Sequence, residues 1–228
     1  MSLKKISIIG AGQAAAYAAN EIRKHDKELG ITIFNEENYL PYERPPLSKD
    51  SITNKKKYEE LSFFSKEFYN SENIQFINKS VKKVDFTNKT LITNDEKLEP
   101  YDNLLITTGS KNKKLNFGVD QQDISDSILY LRNIEDSKRI KESINTHETF
   151  AIIGGGFIGL EVASSIAQLG KKAYVIEMGQ QLMGRVIPTQ IAKLVSSYHE
   201  DKGNVILLET NIVSIELKNS VYKIELNN

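Results

Sequence analysis

Two glycine loops are the residues of this 228-residue chain whose types and spacing most directly suggest chemistry. The first reads Gly10-Ala11-Gly12-Gln13-Ala14-Ala15 and follows the apolar run Ile6-Ser7-Ile8-Ile9. The second reads Gly154-Gly155-Gly156-Phe157-Ile158-Gly159 and follows Phe150-Ala151-Ile152-Ile153. In such a loop the first glycine permits a tight turn out of a strand, and the second lets a pyrophosphate approach the backbone. The third position, Ala15 in one copy and Gly159 in the other, must be small so that helix and strand can pack closely. The helix that follows presents unpaired N–H groups and the positive end of its dipole to the phosphates. A carboxylate stands where the next strand should end in each copy: Glu36 after Ile33-Phe34-Asn35, and Glu177 after Val175-Ile176. An acid there can accept hydrogen bonds from both ribose hydroxyls of a dinucleotide, with Glu37 competing with Glu36 for the role.

Those residues need a particular frame, and the sequence supplies it twice. Each loop is preceded by an apolar run and followed by a helical stretch, the first to about Leu29 with Gly30 ending it, the second to Leu169 with Gly170 closing it. Ile31-Thr32-Ile33-Phe34 and Ala173-Tyr174-Val175-Ile176 read as the next strands, so each copy is a βαβ unit with the apolar strands of a parallel sheet covered on both faces. Between the copies, Val81–Phe86 and Lys89–Thr93 alternate in polarity about Thr87-Asn88, the pattern of a hairpin. An apolar strand then runs from Leu104 into Thr107-Thr108-Gly109. The polar stretch from Lys111 to Asp126 reads as a linker, which predicts domains over 1–112 and 113–228. Beyond the second unit, Thr189 to Lys202 reads as an amphipathic helix ending at Gly203, followed by short alternating strands. The expected fold class is α/β, two Rossmann-like dinucleotide-binding domains with a small antiparallel β insertion.

Composition narrows the function classes. Thirty basic and thirty acidic residues give zero formal charge, which does not favour a nucleic-acid or anionic-membrane partner. No apolar run is long enough to span a bilayer, and the first one leads into a glycine loop rather than a cleavage site, so the expected location is cytoplasmic. There is no cysteine, which removes disulfides, thiolate metal sites and any cysteine redox relay. His25, His147 and His199 lie in polar contexts and are expected at the surface, and no metal site is expected. Glu177 would repel a 2′-phosphate, which favours NADH over NADPH at the second loop; Arg185 is near enough in sequence to moderate that preference.

The run Leu40-Pro41-Tyr42-Glu43-Arg44-Pro45-Pro46-Leu47-Ser48-Lys49 resembles the flavin-side loop of the NADH-dependent ferredoxin reductases that serve oxygenases. Rubredoxin reductases and apoptosis-inducing factor are relatives of that family. The resemblance continues through Thr107-Thr108-Gly109 and Leu131-Arg132 to Gly155-Gly156-Phe157-Ile158-Gly159-Leu160-Glu161. It implies two domains of the glutathione-reductase type, with FAD at the first glycine loop and a nicotinamide nucleotide at the second. It further implies that Arg44 binds the FAD pyrophosphate and that Lys49 pairs with Glu161 beside the reacting rings. Independently of that, prolines fix the backbone there, and Pro46 could open a short helix carrying Ser48 and Lys49. The lesser reading of Arg44 and Lys49 is surface charge after a turn, and that of Glu161 is a favourable carboxylate on a first helical turn. Val81 matches a residue whose backbone meets adenine but is also a core strand residue. Thr108 and Gly109 match a turn passing the FAD, with Thr107 departing from the family's alanine. Arg132 matches an arginine near the cofactor; Arg139 and the neighbouring charges leave a solvated helix face as the alternative reading.

The activity this resemblance implies is hydride transfer from NADH to FAD and onward electron transfer to a ferredoxin or another small carrier protein. Related disulfide reductases carry a cysteine pair after their second strand; here the proline run stands there instead. A rubredoxin reductase, a reductase of a small molecule such as monodehydroascorbate, and a nucleotide-binding module without turnover like apoptosis-inducing factor are the alternatives. An inert fragment is a further alternative, because the family's chains are about twice this length and add a returning FAD segment and a C-terminal domain.

Overall fold

The computed structural model describes residues 4–115, 127–218 and 221–227, so most of the expected linker lies outside the described residues. The chain divides into two compact units. One contains residues up to 43 together with 59–111; the other contains 44–58 together with 112–228. The proline-rich run from Arg44 onward, taken with the residues to 58 as one segment, therefore belongs to the second unit, an assignment the linear division at 112 does not show.

The first unit is built on β1 (Lys5–Ile9), α1 (Gln13–His25) and β2 (Gly30–Phe34), joined by α2 (Lys66–Ser71) to β3 (Ile74–Ile77). Strands β4 (Val81–Asp85), β5 (Thr90–Thr93) and β6 (Leu98–Pro100) form the antiparallel insertion, and β7 (Asn103–Ile106) returns to the main sheet. The main sheet has the order β3-β2-β1-β7, with every pairing parallel. Its apolar strands bury one face against α1 through Ile8, Ile31, Ile33, Ala15 and Ala19. The other face, through Ile9 and Phe34, meets Leu91 of the insertion and Tyr101. This is the layered solution that a parallel sheet apolar on both faces requires.

Helix α1 stops four residues before the expected Leu29. Asp26 accepts the amide protons of Glu28 and Leu29 on one carboxylate oxygen at 2.9 Å, turning the chain before Gly30, which begins β2 rather than capping the helix. Arg23, 3% exposed, fastens that turn. Its guanidinium donates to the carbonyls of Asp26 (3.1 Å), Leu29 (2.6 Å), Glu72 (2.6 Å) and Asn73 (3.2 Å). One planar fork thus joins the end of α1 to the turn between α2 and β3.

The second unit opens with a 3₁₀ turn over Pro45–Ser48 and continues with α3 (Ile134–Thr146), β8 (Thr149–Ile153), α4 (Phe157–Gln168) and β9 (Lys172–Ile176). Then come α5 (Thr189–Asp201), β10 (Val205–Leu207) and the hairpin β11 (Ile212–Lys218) with β12 (Val221–Leu226). The parallel sheet has the order β10-β9-β8. Asn133 caps α3 in a reciprocal box with Asp136. Gly170 (φ +76°) and Gly203 (φ +91°) turn the chain after α4 and α5. The core gathers Ile140, Ile144, Leu160, Ala163, Ile166 and Val175, and Ile52 of the proline-rich segment is fully buried in it. That burial contributes about 2 kcal/mol to holding the segment on this unit.

His199 departs from the surface position expected of it. It is buried in α5, with its Nδ1 3.1 Å from the Asn204 side-chain amide. Burial lowers its pKa below 6.5. A histidine held neutral in the folded state lets the unfolded chain bind the extra proton first. Stability is therefore complete above the unfolded pKa and falls as pH drops from about 6.5 toward the folded value. Thermal melts at about pH 7.5 and about pH 5.5 should show a decrease that is smaller in His199→Gln. An equal decrease in the variant would assign the effect to other groups.

Candidate functional site

In the first unit, β1 ends at Ile9 and Gly10 turns the chain with φ +96°, its amide donating to the Phe34 carbonyl at 2.9 Å. A Cβ at Gly10 would stand 2.5 Å from the Thr107 carbonyl oxygen, so only glycine fits. Thr107 fixes the turn from the other side: its hydroxyl lies 2.9 Å from both the Ile9 and Gly10 carbonyl oxygens. The departure from alanine at this position thus has a local use. Gly12 is the N-cap of α1 with no side-chain cap, and a Cβ placed there would meet nothing within 4 Å. Ala15 is fully buried against the sheet, as the third position of the loop demands.

The other expected residues of this unit are placed as follows. Glu36 is exposed, whereas Glu37 is partly buried and accepts the Tyr42 hydroxyl. Thr108 and Gly109 are exposed at the end of β7, Gly109 with φ +69°. Val81 begins β4 opposite Thr93 and packs beside the Leu91 cluster, a core position.

The second unit repeats the arrangement. Gly154 has φ +100° and donates to the Ile176 carbonyl at 2.8 Å. Gly156 caps α4 without a side chain, and a Cβ there would again meet nothing within 4 Å. A Cβ at Gly159 would lie 2.2 Å from the Gly154 carbonyl oxygen, the close approach expected of the third position. Open space over the second glycine, beside an uncapped helix start, is what a bound diphosphate needs, and both units provide it. Phe157 and Ile158 are exposed on the first turn of α4. Glu177 follows β9, and each carboxylate oxygen accepts one backbone N–H at 2.8 Å, from Gly155 and from Gly179. The acid is thereby oriented before any ribose arrives. Arg185 is exposed in the turn that precedes α5.

The proline-rich segment completes this unit. Lys49 Nζ lies 2.9 Å from Glu161 Oε1. Glu161 sits in the second turn of α4, not the first, so interaction with the helix terminus is not what holds it. Arg44 donates through Nη1 to the carbonyl of Arg132, bringing together two arginines that the sequence placed 88 residues apart. The Arg132 amide in turn donates to Asp136 at 2.8 Å. Sequence reasoning missed the residues that clamp the segment. Ser137 of α3 and Ser165 of α4, both buried, donate at 2.7 Å to the carbonyls of Leu47 and Ser48. Among the described residues no cluster of His, Asp or Glu could hold a metal ion, and no helix is long and apolar enough to cross a membrane.

Comparison with known proteins agrees with this geometry. The chain is 33% identical over 221 residues to the 3-phenylpropionate/cinnamic acid dioxygenase ferredoxin–NAD(+) reductase component of Photorhabdus laumondii, covering 96% of this chain and 55% of that one. It is 31% identical to the rubredoxin–NAD(+) reductase of Pseudomonas putida, covering 94% and 55%. Its fold superposes on the ferredoxin reductase for the CYP199A2 system of Rhodopseudomonas palustris with a TM-score of 0.91 at 26% identity, over 98% of this chain and 55% of that one. The chain thus spans about half the length of the relatives it matches. The model of one family covers residues 4–228, and the chain belongs to that family, the pyridine nucleotide-disulphide oxidoreductases.

Proposed function

We propose that the first unit binds FAD and the second binds NADH, and that the whole protein passes electrons from NADH to a ferredoxin or similar small carrier protein. The observation that carries this reading is the paired cradle: open space above Gly12 and above Gly156, each at the start of an uncapped helix. The named activities of the relatives, ferredoxin–NAD(+) and rubredoxin–NAD(+) reductases, support a nicotinamide nucleotide and a small carrier protein as the redox couple. Bound FAD would accept the nicotinamide's hydride and release its electrons singly to the carrier.

The chain's own residues position and tune. In the first unit, Gly10 and Gly12 admit the diphosphate, and Glu36, exposed where Glu37 is engaged by Tyr42, is the acid for the ribose. Val81, Thr108 and Gly109 are the further FAD contacts that the resemblance assigns in this unit; Arg44 and Arg132, which it also assigns to the cofactor, belong to the second unit. In the second unit Gly154, Gly156 and Gly159 shape the loop, and Phe157 and Ile158 are exposed on the helical turn that follows it. The Lys49–Glu161 pair is assigned to the reacting rings. Its side chains are 46% and 29% exposed, and a pair so solvated contributes only about 0–1 kcal/mol to folding, so stability alone gives it little reason to exist. Adding NADH anaerobically to flavin-loaded protein should bleach the flavin; a flavin that stays oxidised would refute the reading.

Glu177 gives the nucleotide preference. Its carboxylate is pinned by two backbone amides, so a 2′-phosphate would meet a negative charge that cannot swing away. Arg185, exposed nearby in sequence, limits the preference. Glu177→Gln should bring the NADH and NADPH dissociation constants closer by about tenfold, since removing one like charge at this range is worth roughly 1–2 kcal/mol. An unchanged ratio would remove Glu177 from nucleotide selection.

A further inference from the structure

We propose that Ser48 is a positioning residue for Glu161, fixing the carboxylate that Lys49 pairs with; this rests on the reading that the pair serves the bound nucleotide. Ser48 is 4% exposed, the last residue of the Pro45–Ser48 turn, and its hydroxyl donates to Glu161 Oε2 at 2.5 Å. Lys49 takes the other oxygen, Oε1, at 2.9 Å. Both oxygens of one carboxylate are therefore engaged by consecutive residues of a proline-stiffened turn.

The arrangement is reciprocal. Glu161 and Ser165 lie four apart on α4 and so share one face. Glu161 accepts from the Ser48 hydroxyl, while the Ser165 hydroxyl donates to the Ser48 carbonyl at 2.7 Å. One turn of α4 thus grips Ser48 from its side chain and its backbone together. Ser137 repeats the backbone grip on Leu47, again at 2.7 Å. Lys49 is a flexible, partly exposed cation and cannot by itself hold the carboxylate in one rotamer. The short, buried Ser48 hydroxyl can.

Two readouts test this in the 228-residue protein. In side-chain ¹³C NMR, the Glu161 carboxylate resonance, assigned by its loss in Glu161→Gln, should move in Ser48→Ala. It should stay in Ser165→Ala, which loosens the turn yet keeps the hydroxyl. In NADH titrations, Ser48→Ala should weaken binding about fivefold, with no further loss when Glu161→Gln is already present. A resonance unmoved by Ser48→Ala, or an equal loss of affinity with and without Glu161, would overturn the proposal. If the unaltered protein binds no NADH, the functional reading fails, and the NMR comparison still decides the role of Ser48.

Discussion

Gly156→Val is expected to leave the second unit folded and abolish its nucleotide binding. Gly156 has φ −84° and ψ −178°, extended backbone that valine adopts freely. A Cβ there meets no protein atom within 4 Å, so nothing in the fold must move. Valine is a poorer N-cap than glycine, which should lower the melting temperature by only about 3 °C. The branched side chain would instead fill the space assigned to the pyrophosphate, and NADH affinity should fall by about a hundredfold or more. Gly159→Ala is the informative contrast. Its Cβ would be forced to 2.2 Å from the Gly154 carbonyl oxygen, a backbone atom with nowhere to go. That variant should lose stability by about 1–3 kcal/mol, and its binding should fail through the fold. Calorimetry of both variants with and without NADH separates the two cases. Wild-type affinity in Gly156→Val would show that no phosphate approaches this backbone.

The largest stability effect is expected in the first unit, at Arg23. Replacement by methionine preserves the apolar stem and removes the guanidinium, leaving the carbonyls of Asp26, Leu29, Glu72 and Asn73 without that donor. Hydrogen bonds to a charged group contribute about 1.5–3 kcal/mol each, and they are not additive here because one group makes all four. A loss of about 4 kcal/mol is expected, which for a unit of this size lowers the melting temperature by roughly 15 °C. Arg23→Lys should recover little, since an ammonium lacks the planar fork that spans the end of α1 and the α2–β3 turn. Nucleotide binding by the second unit should survive. A shift of under about 3 °C would mean that water replaces the guanidinium without cost.

Arg23 also shows where the sequence was silent. It reads as one more basic residue near a helix end, and its carbonyl partners at Glu72 and Asn73 lie 49 and 50 residues away. Glycine loops, helix ends at Gly170 and Gly203, and the hairpin around Thr87-Asn88 were legible because their causes are local: a positive φ, a turn, a period of two. The Lys49–Glu161 pair was legible only through a family resemblance, because the two residues come from opposite sides of a domain boundary placed by composition. The clamp by Ser137 and Ser165 left a faint trace, the four-residue spacing of Glu161 and Ser165 on one helix, with no sign of what that face would hold. His199 was misplaced although Ala192, Val195 and His199 form an apolar-face stripe; the polar neighbours of the histidine outweighed the helical period.

The proline-rich segment belongs, by its packing through Ile52 and its clamp through Ser137 and Ser165, to the unit that carries the second glycine loop. Its charged residue Lys49 is thus presented by the same unit that presents Glu161 and Glu177. Residues assigned to the nicotinamide and to the electron-accepting ring are set by one core, so a substitution in that core should alter both functions together.

The proposed function requires two separate diphosphate cradles of different ligand preference in this chain. Equilibrium titration of the protein with FAD and with NADH, alone and together, tests it most directly. One site for each nucleotide without competition is expected, with FAD binding lost in Gly12→Val and NADH binding lost in Gly156→Val. Competition of the two nucleotides for a single site, or either ligand binding undiminished in its own variant, would contradict it.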